Sequence, residues 1–501
     1  MSTSNLYTAL GNAAAIPWAD VPEAGVEELV AATAGELAQG GRLCAWFGVP
    51  EQDALRLVAV LGFDAENTLA VARSRPFAAR CPSLTALQPQ AHLFERELWE
   101  QHGVRPEGHP GLKPVRRTIG AAPENGAFYR VDGGEVHEVA VGPVHAGIIE
   151  PGHFRFQCAG EQVLHLEIAL GYQHRGVEEA VTGRGGSAES PAAGRLNWAQ
   201  LETVAGDTSI AHATAHAWLR EALAGAEATL RGQWLRAIAL ELERLANHAG
   251  DLGALAGDVA FLPTSAACGR IRGDFLNLTA LLCGNRFGRG LVRAGGCRLD
   301  LDAARQTQLR ERLRRAMAEL EEAANWLWDA GSVRTRFEGT GTVSAEDAAA
   351  LGLVGPAARA CGLVRDVRYD HPAGWHRFAQ LQPAVWPGGD VLARARVRWL
   401  EAQRAGAFVL DQLDAAPDDD ILAPVGPPGA EQLAVALVEG WRGEVCHVAL
   451  TDAAGRFRRY KIVDPSFHNW PGLAHALRGQ AISDFPLCNK SFNLSYCGFD
   501  L

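Results

Sequence analysis

The chain has 501 residues, 48% of them hydrophobic and 21% charged, enough apolar content for sizeable cores and against disorder. A net charge of -11 gives no electrostatic footing on nucleic acid or on an anionic membrane surface. No apolar run approaches the roughly 18–20 residues of a membrane-spanning helix, and acidic residues at Asp20, Glu23, Glu27 and Glu28 argue against a secretory signal.

Ten cysteines suggest metal or disulfide chemistry, but the closest pair is nine residues apart and no C-x-x-C occurs. Zinc and all-cysteine iron–sulfur sites draw on closely spaced pairs, so these cysteines read as buried small hydrophobes.

In chain order, residues 42–49, 55–63 and 68–75 are short β-rich runs separated by turn-like breaks. A helical pattern over 89–102 places Phe94, Leu98 and His102 on one face. Together they predict a small α+β domain over 1–118. Residues 103–128 are rich in Gly and Pro and read as an extended connector, with a linker set at 119–140. The rest, 141–501, is predicted as a mainly helical domain with β elements at both ends, so the fold class is α+β. Its β-like runs are 135–142 and 153–158. Leu235, Ile238, Leu242, Leu245 and Ala249 mark one helix over 231–250, and Leu309, Leu313, Met317, Leu320 and Leu327 another over 304–329. Near the end, 444–451 and 457–463 predict a hairpin around Asp452–Gly455.

Four segments carry a family likeness. Phe94-Glu95-Arg96-Glu97 with Trp99, Gly103, Gly108-His109-Pro110, Leu112 and Arg116 resembles the closing signature of the 30-kDa subunit of complex I. GPVHAGIIEPGHFRF (142–156) with LGYQHRGVE (170–178) resembles the entrance to the 49-kDa subunit of complex I and to the large subunit of group 4 membrane-bound [NiFe]-hydrogenases. ELERLANHAGDLG (241–253) with CGNRFGRGLVRAGG (283–296) is the third. The last joins 352–372, EGWRGE (439–444), KIVDPSFHNW (461–470) and DFPLCNKSFNLSYCGFDL (484–501). Matches run in one order from about residue 91 onward, and the texture around Glu150-Pro151-Gly152-His153 leans to the formate hydrogenlyase type.

The departures are as informative. Nickel-bearing relatives hold the metal with two C-x-x-C pairs, and thiolates suit that soft, redox-active centre. Here the four ligand positions are Ala205, Thr208, Ser495 and Gly498, with Cys497 falling between them. No metal ligand and no cofactor bound by this chain are expected, and hydrogenase activity is excluded. In complex I a histidine and a tyrosine hold the quinone headgroup; Ile149 stands at the histidine position, and no tyrosine lies between Tyr172 and Tyr369.

The resemblance implies Glu150 as a proton-relay glutamate and Arg442 as the arginine overlying the metal position. A buried ion pair kept for packing is the alternative for both. It further places His145, His212 and Asp484 at the pocket or an interface, His212 beside a partner's proximal cluster. Implied partners are a small iron–sulfur-type subunit and antiporter-like membrane subunits. The chain itself is expected to lie peripherally on the cytoplasmic side of the membrane. The function implied is an oxidoreductase subunit, NADH- or quinone-linked, coupling electron transfer to ion translocation. A non-catalytic scaffold of an ion-translocating complex is the alternative.

Overall fold

A computed structural model describes residues 6–116, 128–147, 149–183, 198–379 and 381–501. The expected connector and linker fall partly on 117–127, outside the described residues.

The N-terminal part is built on a sheet ordered β1 (Thr8–Leu10), β5 (Thr68–Ser74), β4 (Ala54–Phe63), β3 (Arg42–Glu51), antiparallel throughout, with Glu23–Ala24 pairing β5 in parallel. The nearly unbroken apolar runs of β3 and β4 are explained by burial along most of both strands. Helices α1 (Val26–Ala38) and α2 (His92–His102) complete this part. Gly103 ends α2 in the left-handed conformation at φ 69°, where a side chain would be strained.

One strand leaves this layer. β2 (Ala14–Pro17) pairs with β9 (Gln432–Gly440) at the edge of a sheet ordered β11 (Phe457–Val463), β10 (Gly443–Thr451), β9, β2. The side chain of Asn12 fixes this register, donating to Leu437 O at 2.9 Å and accepting from Leu437 N at 2.8 Å. The predicted hairpin is β10 and β11. A third sheet contains β6 (Val136–Val141), β7 (His153–Ala159) and β8 (Gln162–Ala169), in order β8, β7, β6.

The helical body packs on the C-terminal sheet through its first helix; it comprises α3 (Ser209–Leu223), α4 (Leu230–Asp258), α5 (Leu262–Cys283), α6 (Ala303–Asp329) and α7 (Val391–Gln412). The predicted helix over 231–250 runs on further than its apolar periodicity, because Gly250, Gly253 and Gly257 lie within α4. A Cβ at Gly253 would stand 2.7 Å from Cys268 Cβ, so glycine there permits the close approach of α5. Short helices α8 (Pro465–Ala476), α9 (Phe485–Phe492) and α10 (Tyr496–Asp500) close the chain.

A buried ion network cross-links the helical body. Arg359 meets Glu401 at 2.5 Å and Glu439 at 2.9 Å. Arg244 meets Glu241 and Glu401 at 3.0 and 3.1 Å, and Arg368 meets Asp366 and Glu241 at 2.6 and 2.9 Å. His248 adds a bond of 2.8 Å to Glu401. A second set joins the N-terminal part to the C-terminal sheet: Glu97 takes Arg116 and Lys461, Lys461 reaches Glu178 at 3.0 Å, and Arg42 reaches Glu444 at 2.9 Å. Among the described residues no helix is long and apolar enough to cross a membrane.

Candidate functional site

The segments carrying the four ligand positions meet in space. Thr208 is the N-cap of α3, and its N–H donates to Ala205 O at 3.0 Å. Ser495 caps α10, its hydroxyl accepting from Gly498 N at 2.9 Å. Arg175 ties the two together by donating to Thr203 O, Val204 O and Cys497 O at 2.8, 2.9 and 3.0 Å. All four positions are buried.

Over this point lies Arg442, stacked on Trp441 at 3.9 Å. Its guanidinium grips Asp207 with two bonds of 2.6 and 2.8 Å, and donates to Asn493 O at 2.6 Å and to Thr208 Oγ1 at 3.3 Å. Burial alone would lower the pKa of Arg442, but the Asp207 carboxylate reverses this and raises it. Burial likewise favours neutral Asp207, and Arg442 overrides it and holds the carboxyl low. Arg442 therefore has its counter-ion in Asp207, and the alternative of a Glu150–Arg442 ion pair is corrected.

Glu150 sits at the end of the β6–β7 connection, which packs against the C-terminal motif; a Cβ at Gly152 would come within 2.6 Å of Tyr496. The Glu150 carboxylate accepts from Tyr496 N at 3.3 Å. Cys497 lies beside it, 3.4 Å from Ser495 Oγ. Burial and then the neighbouring Glu150 charge push that thiol up to about 11, so it stays protonated.

The back wall is Asp464. Its carboxylate accepts from Ser466 N at 2.8 Å and from His212 Nε2 at 3.1 Å. A Cβ at Gly498 would stand 2.7 Å from the Asp464 carboxylate, so any larger side chain there displaces it. His212 is fully enclosed by this chain, while the partly exposed surface of its segment is offered by Gly206 and Asp207. His145 bonds Gly152 O at 2.9 Å in the same β6–β7 connection as Glu150. Asp484, at the start of the C-terminal motif, pairs with Arg336 at 3.2 Å.

The residues present do not fit a nickel–iron centre: alanine, threonine, serine and glycine supply no thiolate, and Asp464 occupies the direction of the last ligand. Among the described residues no group of three or more His, Cys, Asp or Glu is arranged to hold a metal ion. Sequence reasoning missed Asp207, Asp464 and Glu243. Glu243 accepts from Ile210 N at 2.8 Å behind the site, and burial raises its carboxyl to about 8. One signal points to Asp207: a buried arginine requires a carboxylate, and an acid stands beside Thr208.

Comparison with known proteins gives the lineage. Residues 258–426 match the family described as respiratory-chain NADH dehydrogenase, 49 Kd subunit, and residues 20–120 the corresponding 30 Kd subunit. Formate hydrogenlyase subunit 5 of Escherichia coli (strain K12) is 30% identical over 441 residues, covering 83% of this chain and 76% of the relative. Carbon monoxide-induced hydrogenase of Rhodospirillum rubrum is 30% identical, covering 71% of this chain and 97% of its own. An NADH-quinone oxidoreductase subunit of Solibacter usitatus (strain Ellin6076) is 26% identical, covering 69% and 91%. A chain of the membrane-bound sulfane sulfur reductase, an archaeal respiratory membrane complex, shares the fold at a TM-score of 0.64 and 22% identity, covering 74% of this chain and all of that one. The chain thus belongs to the family that unites the large subunits of formate hydrogenlyase-type hydrogenases with the 49-kDa subunit of complex I, here fused to a 30-kDa-type part.

Proposed function

We propose that this chain is the large subunit of a complex I-like or hydrogenase-4-like assembly that couples electron transfer, NADH- or quinone-linked, to proton or ion translocation without hydrogen chemistry. The observation that carries this reading is the convergence of Glu150, Asp207, Arg442 and Asp464 on positions that hold thiolates in nickel-bearing relatives. Polar groups stay assembled there while the metal ligands do not, and Glu150 among them would handle the proton. A small iron–sulfur-type subunit would supply the electrons, and antiporter-like subunits the ion path. The chain would lie peripherally on the cytoplasmic side of the membrane. We further propose the division into residues 1–118, a linker over 119–140, and 141–501.

A non-catalytic scaffold is the second reading, favoured by one observation: Arg442 is saturated by acceptors of its own chain. Glu150→Gln separates the two. It keeps shape and hydrogen bonding and removes the titratable proton, so turnover of the assembled complex is expected to fall at least ~10²-fold with assembly intact. Full activity in a normally assembled Glu150→Gln complex would move the assignment to the scaffold. Elemental analysis of the purified complex is expected to find no stoichiometric nickel bound to this chain, and one nickel per chain would overturn both readings.

A further inference from the structure

Helix α3 carries His212, His216 and Arg220 at successive four-residue steps, which places them on one face. That face packs on the inner side of β10 and β11, where His447 and Tyr460 stand on adjacent strands, Tyr460 opposite Ala449. The result is a continuous buried chain of hydrogen bonds. His216 Nδ1 lies 2.9 Å from Tyr460 Oη, and Tyr460 Oη 2.9 Å from His447 Nδ1. His447 Nε2 lies 3.0 Å from His212 Nδ1, and His212 Nε2 3.1 Å from Asp464 Oδ2. All four rings are fully buried and Asp464 is 1% exposed.

One end of this chain fixes the direction of every bond. An ionised carboxylate only accepts, so His212 carries a proton on Nε2, and in its neutral form Nδ1 is then bare. His447 then donates from Nε2 and accepts at Nδ1 from the Tyr460 hydroxyl. The Tyr460 oxygen in turn accepts from His216 Nδ1–H. His216 is left with an unprotonated Nε2, and that atom is buried with no hydrogen-bond partner among the described residues. Every donor points toward Asp464, and the one free lone pair sits at the far end. Burial keeps the imidazoles of His216 and His447 neutral, and the Arg220 charge lowers His216 further. Burial favours neutral Asp464, but the hydrogen bond from His212, with Arg442 adding its charge, outweighs it, and the carboxyl is held low.

We propose that these five groups form a proton lead that accepts at His216 Nε2 and delivers to Asp464, beside the vacated ligand position Gly498. One proton arrives on His216 Nε2 from the Arg220 end of α3, where the chain becomes partly exposed. The His216 Nδ1 proton passes to Tyr460 as the Tyr460 proton passes to His447 Nδ1. The His447 Nε2 proton passes to His212 Nδ1, and the His212 Nε2 proton to Asp464. One proton enters and one is delivered; only N–H and O–H bonds change, and no electron moves. Each group ends polarised the other way, so the lead must reset before it carries a second proton. From His212 to Arg220 the path along α3 is about 12 Å at 1.5 Å per residue. Its use rests on the proposed proton-handling role of the vacated site, but its geometry does not.

The test is therefore made on the full chain without turnover. In nitrogen-15 histidine-labelled protein, NMR is expected to show His212 and His447 as Nε2–H tautomers and His216 as the Nδ1–H tautomer. Tyr460→Phe removes one hydroxyl from the middle of the lead. It is expected to slow exchange of the His212 and His447 ring protons with solvent at least about tenfold, the effect of a barrier raised by about 1.4 kcal/mol. An Nε2–H tautomer at His216, or unchanged exchange in a folded Tyr460→Phe chain, overturns the proposal. The tautomers are read on the unsubstituted chain, so a Tyr460→Phe protein that fails to fold leaves the proposal open to refutation. A lost Glu150 effect in the assembled complex would refute the functional reading while leaving these spectra unchanged.

Discussion

The ion network around Arg359 and the chain from His216 to Asp464 are both buried and both bonded at close distances, yet they treat charge in opposite ways. In the first, Arg244, Arg359 and Arg368 face Glu241, Glu401, Glu439 and Asp366, and opposite charges hold one another in place. In the second, neutral rings link a single carboxylate to a single free lone pair. Removing one partner of a buried ion pair strands a charge, which makes the network a structural clamp. A neutral chain can pass a proton without separating charge over a long distance. Burial of polar groups alone thus says nothing about role; the kind of partner does.

The comparison breaks most severely at Glu401, which holds Arg359, Arg244 and His248. Glu401→Leu is expected to cost about 3–5 kcal/mol of unfolding free energy by denaturant titration, since it removes the one carboxylate that Arg359, Arg244 and His248 share and leaves buried donors of each without that acceptor. A loss below about 1 kcal/mol would mean that the network is not a clamp. The next effect belongs to the edge of the histidine chain. Gly498→Ala forces a methyl group against the Asp464 carboxylate, and should cost about 1–3 kcal/mol, the range for overpacking. It should also disturb the His212 resonances, which a change remote from Asp464 would leave alone. The finest test is a tilt with pH. Burial raises the Glu243 carboxyl from 4.5 to about 8, so the folded chain keeps a proton there that the unfolded chain releases near 4.5. Stability is therefore expected to fall as pH rises from about 4.5 to about 8 and to level off above. Glu243→Gln, neutral at every pH, should remove that part of the slope in melting curves recorded across this window.

Local pattern makes some of this legible and distance hides the rest. The hairpin of β10 and β11 is readable because two short β-rich runs flank a turn of Asp and Gly. The continuation of α4 is not, because Gly250 and Gly253 read as breakers when they are contact points for α5. The four ligand positions emerge through family spacing, and the structure joins their segments. The partner of Arg442 is hidden, since Glu150 is the acid attached to the motif while Asp207 stands next to Thr208. His216 carries a local sign, four residues after His212 on one helix. Its continuation through Tyr460 and His447 carries none, because those residues lie 244 and 235 positions away from the histidines they bond.

The strand β2 gives the chain an unusual order of assembly. It pairs with β9, far downstream, and the Asn12 clasp spans 425 positions to Leu437. A ribosome would release β2 long before its neighbour exists, and that edge must wait without a partner until all the chain between them has been made. Closing so large a loop is an entropic step that local helix formation cannot replace. Sealing of this sheet is thus expected late in folding, beside the ion pairs that also join the N-terminal part to the C-terminal sheet.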